Sequence, residues 1–146
     1  CMVKERMEVM ETIGAAMKSL AGMLRGAVTY DASAVREQAA KISGHGGEAL
    51  TALFPDGSVE GPSEATPAIW ENWERFSGLA QKITDYADAL SAAADNARAG
   101  HMMGLGGMMS GAEPSAEMLA AMPPEAAFGH LVQTCKDCHR QFRAKR

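Results

Sequence analysis

The chain has 146 residues, a formal net charge of −4, 47% hydrophobic residues and only 5% aromatic residues. This length predicts one domain spanning residues 1–146, and the mild acidity, without a basic stripe, speaks against nucleic-acid binding. No apolar run reaches the roughly 18 residues that a membrane-spanning helix needs, so no transmembrane helix is expected.

Apolar residues at alternating spacings of three and four predict two helices in the first third of the chain. The first spans about 3–25 and ends before Gly26, because glycine is common just after a helix C-terminus. The second spans about 32–53, with Asp31 as its N-cap. Glycines 44, 46 and 47 weaken its middle, since each costs up to about 1 kcal/mol relative to alanine.

Two further helices are predicted in the second half of the chain. The third spans about 67–99 and begins with Pro67, a residue that is well tolerated at the first helical position. The fourth spans about 125–144 and follows a pair of prolines. Four amphipathic helices of this length predict an all-α, antiparallel four-helix bundle.

The segment 101–124, between the third and fourth helices, is rich in glycine and methionine and begins with His101. Thioethers and imidazole are ligands that select Cu(I), so a copper-handling or docking module is one hypothesis. The other is a short helix over 115–122 with Ser115 as its cap. Its apolar side chains would then pack on the bundle: Met118, Leu119 and Met122.

The most informative motif lies in the fourth helix, where residues 135–139 read Cys-Lys-Asp-Cys-His. The thiols of Cys135 and Cys138 share one helical face and can reach two vinyl groups on one edge of a porphyrin. The imidazole of His139 can bind the iron. The spacing is the attachment signature of c-type haem, so one covalent haem c is predicted.

Two other kinds of site contain a CxxC motif. A zinc site needs about four ligands, and the remaining cysteine, Cys1, is at the other end of the chain. A thioredoxin-type CxxC begins a helix that follows a strand, and this chain shows no strand pattern. His45 and His130 are expected at the surface rather than as ligands.

Covalent haem attachment takes place outside the cytoplasm, so we expect a bacterial periplasmic protein whose signal segment has been removed. Cys1 would then be a candidate for lipid attachment or for an intermolecular disulfide.

The chain resembles the cytochrome c′ family of class II c-type cytochromes, including its low-spin relatives, over all but residues 101–124. The resemblance rests on the order and spacing of several short motifs rather than on any one alone. They are Arg6-x-x-x-Met10, Gly26-x-x-x-Tyr30-Asp31, Phe54-Pro55-x-Gly57-Ser58, Pro67-x-x-Trp70, Phe76, and Cys135-x-x-Cys138-His139 followed by Phe142-Arg143.

The resemblance implies a haem c with His139 as the proximal ligand and with Met10 of the first helix facing the iron. It also implies that Arg6 pairs with a haem propionate and that Arg143 is the basic residue near the proximal histidine. The distal pocket would be apolar and crowded. Its lining would comprise Met7, Met10, Ile13, Gly14 and Met17.

Function then depends on Met10. If Met10 only lines the pocket, the iron is five-coordinate and high-spin, and the protein transfers electrons, binds small gases such as NO and CO, or does both. If its thioether binds the iron, the protein is a low-spin His/Met-ligated electron carrier. No nucleophile or acid–base group accompanies the motif, so an enzyme is not expected. The resemblance further suggests a homodimer formed through the first two helices and an unidentified redox partner.

Overall fold

The computed structural model describes residues 2–54, 67–96 and 115–142, and all regular structure in these ranges is helical. This confirms the all-α class. Four long helices form the bundle, and three short helices lie in the connections between them. In chain order they are α1 Met2–Leu24, α2 Ala32–His45, α3 Gly47–Thr51, α4 Ala68–Glu71, α5 Trp73–Ala93, α6 Ala116–Ala120 and α7 Pro124–Phe142.

The bundle is built around α5. This helix packs on α2 on one side and on α7 on the other, whereas α1 packs chiefly on α2. Each long helix contributes fully buried aliphatic side chains, as its apolar stripe requires. Examples with relative exposures of 0% are Leu20, Ile42, Leu90 and Leu131.

The turn after α1 forms as expected. Gly26 has a φ of +83°, a backbone conformation that is strained for residues with a side chain. The carbonyl of Gly22 accepts hydrogen bonds from the backbone N–H groups of Ala27 and Val28 at 2.9 and 3.2 Å. The next helix begins at its expected N-cap, because Asp31 Oδ1 accepts hydrogen bonds from two backbone N–H groups of the first turn.

The expected continuous helix over 32–53 is wrong, because the backbone leaves the helical conformation at Gly46. There φ is −94° and ψ is −172°, and α3 then starts at Gly47, whose φ is +56°. A Cβ on Gly46 would lie 2.5 Å from Thr84 Oγ1. That hydroxyl donates to the carbonyl of Ser43 at 2.9 Å, so α5 occupies the space beside the break.

The expected third helix over 67–99 is also interrupted. Asn72 has non-helical φ and ψ of −128° and 47°, and its side-chain amide donates to the carbonyl of Ala68 at 3.2 Å. The helix that follows ends at Ala93, and residues 97–99 lie outside the described residues. Beyond its end, Asn96 Nδ2 donates to the carbonyls of Ala120 and Met122, both at 2.8 Å.

A short helix does form within the methionine-rich segment. Ser115 Oγ accepts a hydrogen bond from the backbone N–H of Met118 at 3.1 Å, which confirms Ser115 as its cap. Leu119 is fully buried and Met122 packs against the core. The expectation for Met118 is wrong, since it is 57% exposed and lies on the outer side of the helix.

Within the parts of the chain that the structure describes, no helix is both long and apolar enough to cross a membrane.

Candidate haem-binding site

The CxxCH motif lies in the last turns of α7. Cys138 is buried, with 8% relative exposure, and Cys135 is partly buried one turn earlier. His139 is exposed and follows Cys135 by four residues, so the two share one side of the helix. The structure therefore places both thiols on the side of α7 that faces the core, and the imidazole where that side meets the solvent.

The thiols are electrostatically unlike those of a redox CxxC. Burial raises the pKa of Cys135 to about 11. Burial, followed by the neighbouring Cys135, raises the pKa of Cys138 to about 11, against an opposing effect of Arg75. Redox-active CxxC motifs instead depend on a lowered thiol pKa at a helix N-terminus. Both thiols are neutral at pH 7, which argues against thiol–disulfide exchange.

The described ranges also offer no alternative metal site at the motif. In them, no group of three or more histidine, cysteine or carboxylate side chains is arranged to hold a metal ion. A closed zinc site needs about four such ligands, and Cys135, Cys138 and His139 do not form one with their neighbours.

The first helix presents a methionine-rich flank beside its buried stripe. Met10 and Met17 are partly exposed, and Gly14 lies between them at helical spacing. A Cβ on Gly14 would have no neighbouring atom within 4 Å. Met7, on the same flank, is 54% exposed, whereas Ile13 is buried in the core. This flank of α1 is apolar and has open space beside it.

The residues present fit a haem c. Two thiols three residues apart and an imidazole next to the second form the donor set that covalent haem attachment uses. They belong to α7, while the apolar flank around Met10 belongs to α1. These two helices make little direct contact with each other, in contrast to the close packing of α5 with α7. A flat apolar group held on α7 would be compatible with such an arrangement.

Arg6 is buried rather than exposed to solvent. It is only 5% exposed, its Nε donates to the carbonyl of Leu53 at 2.6 Å, and its guanidinium lies 4.3 Å from the centre of the Phe54 ring. Burial lowers its pKa from the usual value. The structure thus holds Arg6 one turn before Met10 by contacts to Leu53 and Phe54, which follow α3.

An aromatic cluster, which the helix-by-helix sequence analysis did not identify, joins three parts of the chain beside α7. The Phe76 ring lies 4.9 Å from Phe54 and 5.4 Å from Phe142, centre to centre, both edge-on. Trp73 packs on Phe76 at 5.6 Å and remains 38% exposed, while Trp70 Nε1 donates to the carbonyl of Phe54 at 3.1 Å. The motifs behind the family resemblance contain Phe54, Trp70, Phe76 and Phe142, but they do not indicate that these side chains meet.

The two other described histidines lie away from the motif. His45 is partly exposed and its Nδ1 forms a 2.6 Å hydrogen bond with the carbonyl of Lys41. His130, which was expected at the surface, is partly exposed, but its ring is turned toward α5. Its ring packs edge-on against Tyr86 of α5 with 6.2 Å between centres, and its Nε2 is buried. Arg143, Cys1 and residues 101–114 lie outside the described residues.

Comparison with known proteins gives consistent results. The family model described as Cytochrome C' matches residues 1–108. Cytochrome c-556 of Agrobacterium fabrum is 39% identical over 144 residues, which cover 99% of this chain and 82% of the relative.

Solved structures show the same fold. The cytochrome c′ of Rhodopseudomonas palustris matches with a TM-score of 0.72 and 27% identity, over 99% of this chain and 97% of that chain. A carbon monoxide-bound variant of the cytochrome c′ of Alcaligenes xylosoxidans matches with a TM-score of 0.71 and 24% identity, over 99% and 94% of the two chains. With its four-helix bundle and its CxxCH motif, the chain belongs to the cytochrome c′ family and is a c-type haem protein.

Proposed function

We propose that this chain holds one haem c through Cys135 and Cys138, with His139 as the proximal ligand, and that it transfers electrons and binds CO or NO on the side of α1. The observation that carries the proposal is the placement of the CxxCH motif on α7, with the apolar Met10 flank on α1. When bound, the haem supplies the redox-active iron and the coordination position for the gas.

The flank of α1 supports gas binding. Met10 and Met17 are uncharged and flexible, and the space beside Gly14 is open on the side of its missing Cβ. Side chains of this kind admit a small uncharged molecule without the cost of desolvating a charge. We assign Met10 and Met17, together with the buried Ile13, to the lining of this distal side.

A second candidate is a low-spin electron carrier in which Met10 is the sixth ligand of the iron. The observation that favours it is the partial exposure of Met10 on the flank that we assign to the haem. A thioether ligand would raise the reduction potential and would prevent binding of CO.

We propose that Arg6 binds a haem propionate. Arg143 is proposed to be the basic residue near His139. We further propose a periplasmic, non-catalytic protein that forms homodimers through α1 and α2 and exchanges electrons with an unidentified partner protein. The bacterial relatives support the periplasmic location, and a lipid at Cys1 is a separate proposal.

For the copper hypothesis on segment 101–124, metal analysis of the native protein is the test.

The decisive experiment is absorption spectroscopy of the purified protein, ferric and ferrous, before and after addition of CO and NO. A high-spin spectrum that shifts with either gas supports the first proposal. A low-spin spectrum with a thioether-to-iron band that CO does not change supports the second. Absence of a haem spectrum in protein from a host that matures c-type cytochromes contradicts both.

The attachment residues are tested by a double variant, Cys135→Ser with Cys138→Ser. We expect it to release its haem into acidified acetone, while a Cys1→Ser variant keeps the haem covalently bound. Covalent haem in the double variant, measured by mass spectrometry, would contradict the assignment of these two thiols.

A further inference from the structure

Basic residues are concentrated near the C-terminus of an otherwise acidic chain. Residues 133–146 include five basic side chains and one acidic side chain, although the whole chain has 14 basic and 18 acidic residues. Two of the five, Lys136 and Arg140, lie on α7, which also carries the CxxCH motif. The uneven distribution produces a local positive potential on a protein of negative net charge.

These cations lie on the solvent side of α7. Lys136 and Arg140 are four residues apart, on neighbouring turns of one face, and both are exposed. The acid between them, Asp137, accepts hydrogen bonds from Arg140 Nη2 at 2.8 Å and from Gln133 Nε2 at 3.0 Å. Only 19% of the Asp137 side chain is exposed, against 69% for Arg140, so the outermost charge on this face is positive.

A third cation reaches the same helix from α5. Arg75 is exposed, and its Nε donates to Gln141 Oε1 on α7 at 3.4 Å. We name the surface formed by Arg75, Lys136 and Arg140 the α7 basic face.

His139 connects this face to the proposed haem. It is exposed, it directly precedes Arg140, and it follows Lys136 by three residues. This step depends on the proposed function, in which His139 is bonded to the iron. An exposed proximal imidazole would provide a short bonded path for an electron between the iron and a molecule seated on this side of α7.

We propose that the α7 basic face is the docking surface for an acidic electron-transfer protein. Charge complementarity is the argument, because a positive patch accelerates the encounter with a negative partner and orients it. The exposed histidine between the cations favours a redox protein over an anionic lipid surface, since only a redox protein would use the path through the imidazole.

The test uses the holoprotein and an acidic flavodoxin as the probe. Stopped-flow spectroscopy measures the second-order rate of haem reduction by reduced flavodoxin over a range of ionic strength. The variant carries Lys136→Glu and Arg140→Glu. The control carries Lys18→Glu and Lys41→Glu, an equal change in net charge at exposed positions of α1 and α2, and light scattering verifies that its oligomeric state equals that of the wild type.

We expect the wild-type rate to fall as ionic strength rises, because salt screens the attraction. The variant should be slower by about tenfold at low ionic strength and should lose most of its salt dependence, whereas the control should change by less than about twofold. A second double variant, with Lys136→Gln and Arg140→Gln, removes the two charges without reversing them. We expect it to show an intermediate rate, so the test does not depend on correct folding of the charge-reversed protein alone.

Binding is measured independently from NMR line broadening of α7 amides when oxidised flavodoxin is added. Equal rates in variant and control, with intact haem spectra, would overturn the docking proposal alone. A missing haem or an altered spectrum would instead count against the proposed function. Binding to anionic phospholipid vesicles that requires Lys136 and Arg140, without any effect on flavodoxin, would assign the face to a membrane and overturn the proposal as well.

Discussion

Met10 occupies a position between the core and the open flank of α1. It packs against buried residues and is yet partly exposed, while Ile13 is 5% exposed and fully within the core. A flexible thioether at such a position can fill a pocket and can also yield to a ligand. We therefore propose that Met10 limits access to the iron.

Replacing Met10 by alanine should increase CO affinity. Removal of the side chain leaves room on the distal side, and we expect a gain of about tenfold, equivalent to about 1.4 kcal/mol. CO titration followed by absorption measures it, with Met118→Ala, at a 57% exposed position on α6, as the control. Unchanged affinity in the Met10 variant would show that this side chain does not cover the iron.

Arg6 illustrates how a hydrogen bond and a ring contact help to hold a buried cation. Arg6→Lys retains the charge but loses both the Nε donor to Leu53 and the planar contact with Phe54. We expect the free energy of unfolding to fall by about 1–2 kcal/mol, because the Leu53 carbonyl loses a charged donor.

Chemical denaturation of the holoprotein provides the measurement for Arg6→Lys. The matched variant, Arg25→Lys, changes an exposed residue after α1 and should stay within about 0.5 kcal/mol of wild type. If both variants unfolded at the same denaturant concentration, the contacts of Arg6 would have no net stabilising effect.

At the scale of elements, the break between α2 and α3 depends on a close approach by α5. Gly46 lies against Thr84 so closely that a Cβ would meet the Thr84 backbone nitrogen at 3.0 Å and its hydroxyl at 2.5 Å. The hydroxyl already donates to the Ser43 carbonyl. The break and the α2–α5 contact therefore support each other.

Gly46→Ala should destabilise the protein by about 1–3 kcal/mol, because the added methyl group forces either α5 or the break to move. Gly44→Ala is the matched control. Gly44 is exposed and helical, and its Cβ would meet nothing within 4 Å, so a gain of about 0.4–1 kcal/mol is expected. Thermal unfolding of both variants is the measurement. Equal stability of the two variants would contradict the close approach of Gly46 to Thr84.

At the scale of the whole molecule, the bundle has a continuous core to which all four long helices contribute. α7 joins it through residues such as Leu131, Cys138 and Phe142, so the helix with the CxxCH motif is fixed mainly by its packing on α5. The haem site that we propose thus depends on a helix whose position is set by apolar contacts.

Leu131→Ala should lower the free energy of unfolding by about 2–5 kcal/mol, the usual cost of a cavity at a fully buried leucine. The covalent haem should remain attached, since Leu131 lies one turn before Cys135. Denaturant unfolding and mass spectrometry measure the two effects. A loss below about 0.5 kcal/mol would contradict the packing of α7 described above.

The amino-acid sequence by itself determined the features that depend on neighbouring residues. Helical periodicity, the N-caps at Asp31 and Ser115 and the glycine after α1 are local, since a helix bonds residues only three or four positions apart. The CxxCH motif is local for the same reason, and it predicted a c-type haem protein. The roles of its three side chains stay a prediction.

Only the tertiary structure decided the features that depend on distant residues. The close contact at the Gly46 break involves Thr84, the inward-turned ring of His130 packs on Tyr86, and the hydrogen bond of Arg6 reaches Leu53. In each case the partners are more than 35 residues apart, so no periodicity within one helix reports the contact. Packing, rather than local preference, determined which side chains meet.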